Sequence, residues 1–405
     1  MARSQRLVKS LAAQDDFFST MPLPVVELGR SEKLACLRLI QTENIGPATF
    51  RTLINTYGGA HAALEAIPGI AYRGGRRTPI RICSQERAEQ ELHSAEAIGA
   101  KALFKIKPGY PKALAAIKYP PPLIYYQGQC HLLNRPAIAM VGSRNCSAAG
   151  AALARLLASD LGANRIVVVS CLARGIDGVT HNATLATGTV AVLAGGLDNY
   201  YPPEHRELQQ KIADVGCLVT ENPPGFQPRG EDFPRRNRLI SGLSLGTVVI
   251  EAAIRSGSLT TARFAAEQSR DVFAVPGHPL DPRSEGTNKL LKSGAILTTN
   301  VTDIIAETAP QIDKPETADQ ELGEVEHQQK TWSATAAEQK FDIGDIERNT
   351  ITDLLGPAPV SIDEVCRLSR LTVGQVKIVL LELSLAGRLQ HHGQSLISLV
   401  EACEA

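Results

Sequence analysis

Aromatic residues make up only 4% of the sequence, with a single tryptophan. A base-stacking platform of the kind built by single-strand-binding proteins is therefore not expected. Net charge is also missing, because Lys+Arg and Asp+Glu number 42 each. A neutral chain does not recruit polyanions by its bulk field, so nucleic-acid contact would have to come from local clusters of Arg and Lys. The eight cysteines form no C-x-x-C pair, which argues against a zinc ribbon, and no metal is expected. Several sit in apolar runs and read as reduced, buried thiols of a cytoplasmic protein. No stretch approaches the roughly 18 uninterrupted apolar residues of a membrane span. The first residues, to about Pro24, mix Arg, Lys, Asp and Phe and lack the apolar core of a signal peptide.

What is present is a change of pattern along the chain. Residues 1–30 read as a tail. Residues 31–100 read as short helices, with Leu34, Leu37 and Ile40 at helical spacing. The run Asn44-Ile45-Gly46-Pro47 within them suits either a helix-hairpin-helix meeting a DNA phosphate or a plain helical turn with Pro47 at the first helical position. The plain turn is favoured, because Arg51 is the only cation close by. Residues 101–306 form an α/β domain with its N-terminal connector. In the connector, Pro120-Pro121-Pro122 force extended chain and Leu123–Tyr126 read as a short strand. From Ala137 onward, apolar runs at Ile138–Val141, Ile166–Ser170, Val190–Ala194, Cys217–Thr220, Thr247–Glu251, Val272–Val275 and Ile296–Thr298 alternate with helical stretches. Continuous apolar strands separated by helices predict a doubly wound, mostly parallel sheet of Rossmann-like type, covered on both faces. Residues 307–344, rich in Glu, Gln, Thr and Ala, read as a flexible linker. Residues 345–400 carry three helical periods and a hairpin, the pattern of a winged helix.

Ligands of open parallel sheets sit at the carboxyl ends of the strands, so the residues that follow each strand matter most. The first strand leads into Gly142-Ser143-Arg144-Asn145, where a Gly turn, a hydroxyl and a guanidinium suit an anion at a helix start, with Asn145 or Ser147 as the alternative cap. The run matches neither G-x-G-x-x-G nor a Walker A loop, so no nucleotide cofactor is expected. The second strand gives Cys171-Leu172-Ala173-Arg174-Gly175-Ile176-Asp177, with Asp177 read as the cap of a helix starting at Gly178 and His181 as packing. The third ends in Gly195-Gly196, which admit close backbone approach. The fourth leads to Phe233-Pro234-Arg235-Arg236-Asn237-Arg238, the densest cation cluster of the chain, expected in a loop and facing DNA backbone. The fifth leads to Ser256-Gly257-Ser258-Leu259-Thr260, hydroxyls able to donate to phosphate. No general acid–base pair or nucleophile elbow is visible, and no catalytic residue is assigned.

Together these segments resemble the DNA-processing protein A (DprA/Smf) family, over roughly residues 31–305 and more loosely through the winged helix. The Phe233–Arg238 run beside Ser256-Gly257-Ser258-Leu259 carries most of that resemblance. It implies a sterile-alpha-motif-like helical domain, a Rossmann-like domain and a winged helix. It also implies single-stranded DNA as ligand, a homodimer, and transfer of the strand to the RecA recombinase during natural transformation. Arg144 and Arg174 fall at family positions and are carried over as DNA contacts. With them go Gly142, Ser143, Gly175, Arg235, Arg236, Asn237, Arg238, Ser256, Gly257, Ser258 and Thr260 as the expected DNA site. Cys171 departs from the Gly usual there, which puts the exact placement of the following loop in question.

Two other readings stand beside this one. A nucleotide phosphoribohydrolase of the lysine-decarboxylase-like group would need a Pro-Gly-Gly-x-Gly-Thr loop, and here Gly195-Gly196 is followed by Leu197-Asp198. A transcription regulator would read DNA with the third helix of the winged helix. That helix has only Lys377 before Arg388, so the module is expected to contact protein or modulate the Rossmann-like domain instead.

Overall fold

The computed structural model describes residues 29–107, 109–312, 343–392 and 396–400. The expected tail falls outside these residues apart from its last two positions, and so does most of the expected linker. The described chain divides into two compact units. Residues up to Gln90 join those from 343 onward in one unit, and residues 91–312 form the other.

The chain begins with three helices, α1 (Arg30–Ile40), α2 (Pro47–Tyr57) and α3 (Ala60–Arg73). Pro47 is the first residue of α2, where its missing N–H costs nothing, and Gly58 in the left-handed region ends that helix. Leu37, Leu39, Leu53 and Ile67 are fully buried between the three helices.

The second unit holds α4 (Gln85–Ala97, its last turns), α5 (Lys112–Ala115), α6 (Ala148–Ala163), α7 (Ile176–Thr184), α8 (Arg206–Val215), α9 (Asp232–Gly242), α10 (Gly257–Glu267), α11 (Glu285–Lys292) and α12 (Val301–Ile312). Its strands are β1 (Lys101–Phe104), β2 (Leu123–Gly128), β3 (Ala137–Gly142), β4 (Val167–Cys171), β5 (Thr189–Val192), β6 (Cys217–Thr220), β7 (Gly246–Ile250), β8 (Asp271–Ala274) and β9 (Ile296–Leu297). They make one sheet in the order β1-β2-β6-β5-β4-β3-β7-β8-β9. The seven strands β3–β9 are parallel, as the apolar runs predict, while β1 and β2 add an antiparallel edge against β6.

The strands are apolar throughout because alternate residues feed two separate layers. Ala139, Val141, Val167, Val169 and Val249 enter one core. Ile138, Met140, Val168, Val248 and Ile250 enter the other. Each such Val or Ile contributes about 1.5–3 kcal/mol of burial, so both faces must be roofed by helices. Ile304 and Ile305 of α12 belong to the second layer, and the helix runs on to Ile312, into the stretch expected as linker.

The chain steps from β3 through β4 and β5 to β6 in one direction, then returns to place β7 on the opposite side of β3. Open α/β sheets place ligands at the carboxyl ends of the strands beside such a reversal.

The winged helix consists of α13 (Asp345–Leu354), α14 (Ile362–Ser369) and α15 (Val373–Leu385), with a sheet of β10 (Val360–Ser361), β12 (Leu396–Leu399) and β11 (Leu389–His392) in that order. Ser361 caps α14, and a full Thr372–Gln375 capping box opens α15. Among the described residues no helix is long and apolar enough to cross a membrane.

Candidate nucleic-acid interface

The loops after β3, β4 and β5 meet the segment after β6 and the first turns of α9 at the carboxyl edge of the sheet, and together they enclose a pocket. Arg144, Leu172, Ala173, Leu193, Ala194, Gly195, Asn199, Tyr201, Pro228, Phe233 and Arg236 line it. Its floor is formed by Leu172, Ala173, Leu193, Ala194 and Gly195. Its polar side chains are two guanidiniums, the Asn199 amide and the Tyr201 phenol, which suits an anionic ligand with an apolar portion.

Arg144 lies at the rim, exposed, and makes no ion pair among the described residues. It is held there by a tight crossing of two loops. Gly175 has φ of 75°, and a Cβ on it would stand 2.2 Å from the Ser143 carbonyl oxygen and 2.8 Å from that of Arg144. Only Gly allows this approach. The Ile176 amide donates to Ser143 O and ties the crossing. Gly175→Ala is therefore expected to push the two loops apart, lowering stability by about 1–3 kcal/mol. It should also weaken oligonucleotide binding by about tenfold, roughly 1.4 kcal/mol. Thermal unfolding with fluorescence anisotropy on the same sample checks both, and wild-type affinity would contradict the assignment.

Other expected contacts are already committed within the protein. The Ser143 amide donates to Ile250 O, and the Ser258 hydroxyl donates to Gly142 O. Ser256 caps α10 by accepting from the Ser258 amide. At the start of α6, Ser147 is the cap, and both its amide and its hydroxyl donate to the Glu251 carboxylate. A carboxylate of the protein thus fills the helix start where an external anion was expected. Thr260 lies one turn into α10, half-buried, and Gly257 at the start of that helix has open space where a Cβ would be.

The Arg cluster differs most from the sequence reading. Residues 232–242 are a helix, not a loop, with Pro234 in its first turn. Successive helical residues point about 100° apart, so the three guanidiniums diverge. Arg236 turns inward and is 7% exposed. Its Nη1 donates to Val192 O and its Nε to Asn237 Oδ1 at 3.1 Å, while its side chain still lines the pocket. Asn237 in turn donates to Gly257 O. Arg238 is paired with Glu221 and donates to Tyr119 O at 2.9 Å. Arg235 is exposed, 3.6 Å from Glu221. Arg174 is exposed, 3.4 Å from Glu204. The pocket thus gathers Arg144 and Arg236, with Arg174 on the adjoining loop, whereas Glu221 holds Arg238 and Arg235 stays on the solvent side of α9.

Behind the pocket lies a buried polar cluster. Asp177 sits in the first turn of α7, which begins at Ile176 and not at Gly178, so it does not cap that helix. Its carboxylate accepts from the Cys171 thiol. Burial drives the Asp177 carboxyl up to about 6, against the opposing pull of Arg236. Burial, together with the Asp177 charge, raises the Cys171 thiol to about 12. The side chain that departs from the family's Gly thus enters this cluster. His181 is packed, as expected, between Thr189 Oγ1 at 2.7 Å and Cys171 O at 3.0 Å, and burial lowers it to about 4.

Sequence reasoning did not gather the aromatic wall. Tyr201 and Phe233 stand with ring centroids 5.2 Å apart at the pocket mouth, and Arg206 lies 4.8 Å over the neighbouring Tyr200 ring. The low overall aromatic content gave no hint of this local pairing.

Three family models match the chain: DNA recombination-mediator protein A over residues 101–309, a DprA-like N-terminal HHH domain over 30–94, and a DprA winged helix domain over 334–394. The DNA processing protein DprA of Streptococcus pneumoniae is 44% identical over 200 residues, covering 49% of this chain and 71% of that protein. Protein Smf of Synechocystis is 29% identical over 385 residues, covering 89% and 97%. The X-ray structure of the S. pneumoniae DNA processing protein A superposes with a TM-score of 0.59 and 35% identity, covering 69% of this chain and 99% of that one. The first model alone spans more than half of the chain and includes every loop that forms the pocket. The chain belongs to the DNA recombination-mediator protein A (DprA/Smf) family.

Proposed function

We propose that this protein binds single-stranded DNA in the pocket at the ends of β3–β5, acts as a homodimer, and delivers the strand to the RecA recombinase during natural transformation. The observation that carries the first part is the pairing of Arg144 and Arg236 with the exposed Tyr201 ring and the half-buried Phe233 ring around one apolar floor. A single strand offers both partners at once, phosphates for the guanidiniums and unstacked bases for the rings. A duplex keeps its bases stacked inside and offers only the phosphates.

The proposed role is binding without catalysis. The pocket lining has no carboxylate, imidazole or thiol to act as general base or nucleophile. The loop that a phosphoribohydrolase would use for phosphate is closed, because Asp198 accepts from the Gly225 amide at 2.9 Å.

Residues 85–312 are expected to retain most single-strand affinity, with little preference between unrelated sequences, since guanidiniums and ring faces carry no base code. The fragment should end at Ile312, because a cut near residue 306 would sever α12 beside Ile304 and Ile305 in the core. Anisotropy titrations of full chain and fragment with single- and double-stranded oligonucleotides check this, and equal affinity for both forms would sink the reading. Release of ribose phosphate from nucleoside monophosphates would revive the enzyme.

A further inference from the structure

The third helix of the winged helix, α15, is buried on two opposite sides. Val376, Val379, Leu380 and Leu383 lie in the winged-helix core. At 3.6 residues per turn, Leu381, Glu382 and Leu385 fall about half a turn away, on the face that a groove-reading helix turns to DNA. Yet these three are 6%, 1% and 0% exposed. What covers them is the N-terminal helical domain of the same compact unit.

The contact is specific. Arg73, the last residue of α3, donates from Nε to Glu382 Oε1 at 2.8 Å, and Arg348 of α13 holds Oε2 of the same carboxylate at 2.8 Å. Asn44 of the turn before α2 donates to Leu385 O, and Arg388 donates to Gly74 O. Gly74 sits against the α15 backbone so closely that a Cβ would stand 2.0 Å from Glu382 O and 2.9 Å from the Ala386 Cβ. Its φ of −69° is open to any residue, so the approach of α15 alone requires Gly there.

We propose that α15 is an intramolecular docking helix, seated on the N-terminal helical domain, which closes the winged helix to the DNA major groove. The major groove is about 12 Å wide and an α-helix with its side chains already fills 10–12 Å. A helix with α3 packed along its outward face does not enter. The Asn44–Gly46 turn, the other element with a possible phosphate role, is engaged by the same contact. Each terminal module therefore occupies the surface by which the other would meet duplex DNA. This is independent of how the Rossmann-like pocket is read.

The experiment is hydrogen exchange of the full chain, comparing wild type with Gly74→Leu, whose nearest obstructions all lie in α15 and its C-terminal cap, and with Glu65→Gln on the exposed side of α3 as control. Gly74→Leu is expected to speed exchange in residues 376–388 and 70–76 by about tenfold or more while β3 and β7 stay protected and the control stays unchanged. Arg73→Glu, which sets like charge against Glu382, should give the same local pattern, and it decides the matter should Gly74→Leu also loosen the sheet. Exchange in 376–388 that is the same in wild type and both variants would overturn the proposal. In parallel, Lys377→Glu on the exposed start of α15 should leave duplex affinity of the full chain unchanged. A loss of about threefold or more would mean that the helix reads DNA after all.

Discussion

Replacing Arg144 and Arg174 together with Ala should weaken single-strand binding at low salt by about 10–100-fold. It should also flatten the plot of log affinity against log salt by about 1.4, since each phosphate contact on a single strand contributes about 0.7. Both guanidiniums are exposed beside the pocket, and among the described residues Arg144 makes no ion pair while Arg174 lies 3.4 Å from Glu204, an exposed pair that solvent readily screens. Arg238→Ala provides the contrast. Its guanidinium is spent on Glu221 and Tyr119 O, so its loss should lower stability and leave the salt slope near that of wild type. Anisotropy titrations at several salt concentrations read both effects. Equal slopes for the double variant and wild type would remove Arg144 and Arg174 from the site.

Asp177→Asn should uncover a pH-dependent stability that is nearly balanced in wild type behind the pocket. The folded protein holds the Asp177 proton up to about pH 6, against an ordinary value of 3.8. The stability that this group contributes is therefore full below about pH 3.8 and is lost as pH rises to about 6. His181 works in the opposite sense, at about 4 folded against 6.5 ordinarily. Below pH 6.5 the unfolded chain takes up the His181 proton first, so stability is lost as pH falls toward 4. The two slopes oppose each other over nearly the same window. With Asn at position 177, only the His181 slope remains, and stability should rise from pH 4 to 6.5 by on the order of 3 kcal/mol relative to wild type. Urea unfolding at half-unit pH steps measures it. A difference between variant and wild type that does not change with pH would show that Asp177 does not titrate with a raised value in the folded protein.

Strands β3–β9 are legible in the sequence because a parallel sheet roofed on both faces needs apolar residues at every position, and seven such runs stand out. β1 is not, because Lys101–Phe104 lies at an edge and its first two residues stay partly in solvent. The Arg235–Arg238 cluster was misplaced for a related reason. Charge density after a strand end suggests a solvated loop, yet the run opens a helix with Pro234 in its first turn, and the helical twist sends Arg236 into the core. Asp177 looked like a cap because a helix start is hard to locate by pattern, and the Gly175 turn sets it two residues earlier. The Tyr201–Phe233 wall joins two segments distant in sequence, which no local pattern announces.

The claim that a single strand lies in this pocket is tested most directly by photocrosslinking. A single-stranded oligonucleotide carrying 5-iodouracil, bound to the full chain and irradiated, should attach to Tyr201 or Phe233, the two rings at the pocket mouth. Peptide mass spectrometry reads the site. Crosslinks confined to residues 343–400 or to α1–α3, under conditions where the strand is fully bound, would contradict the account.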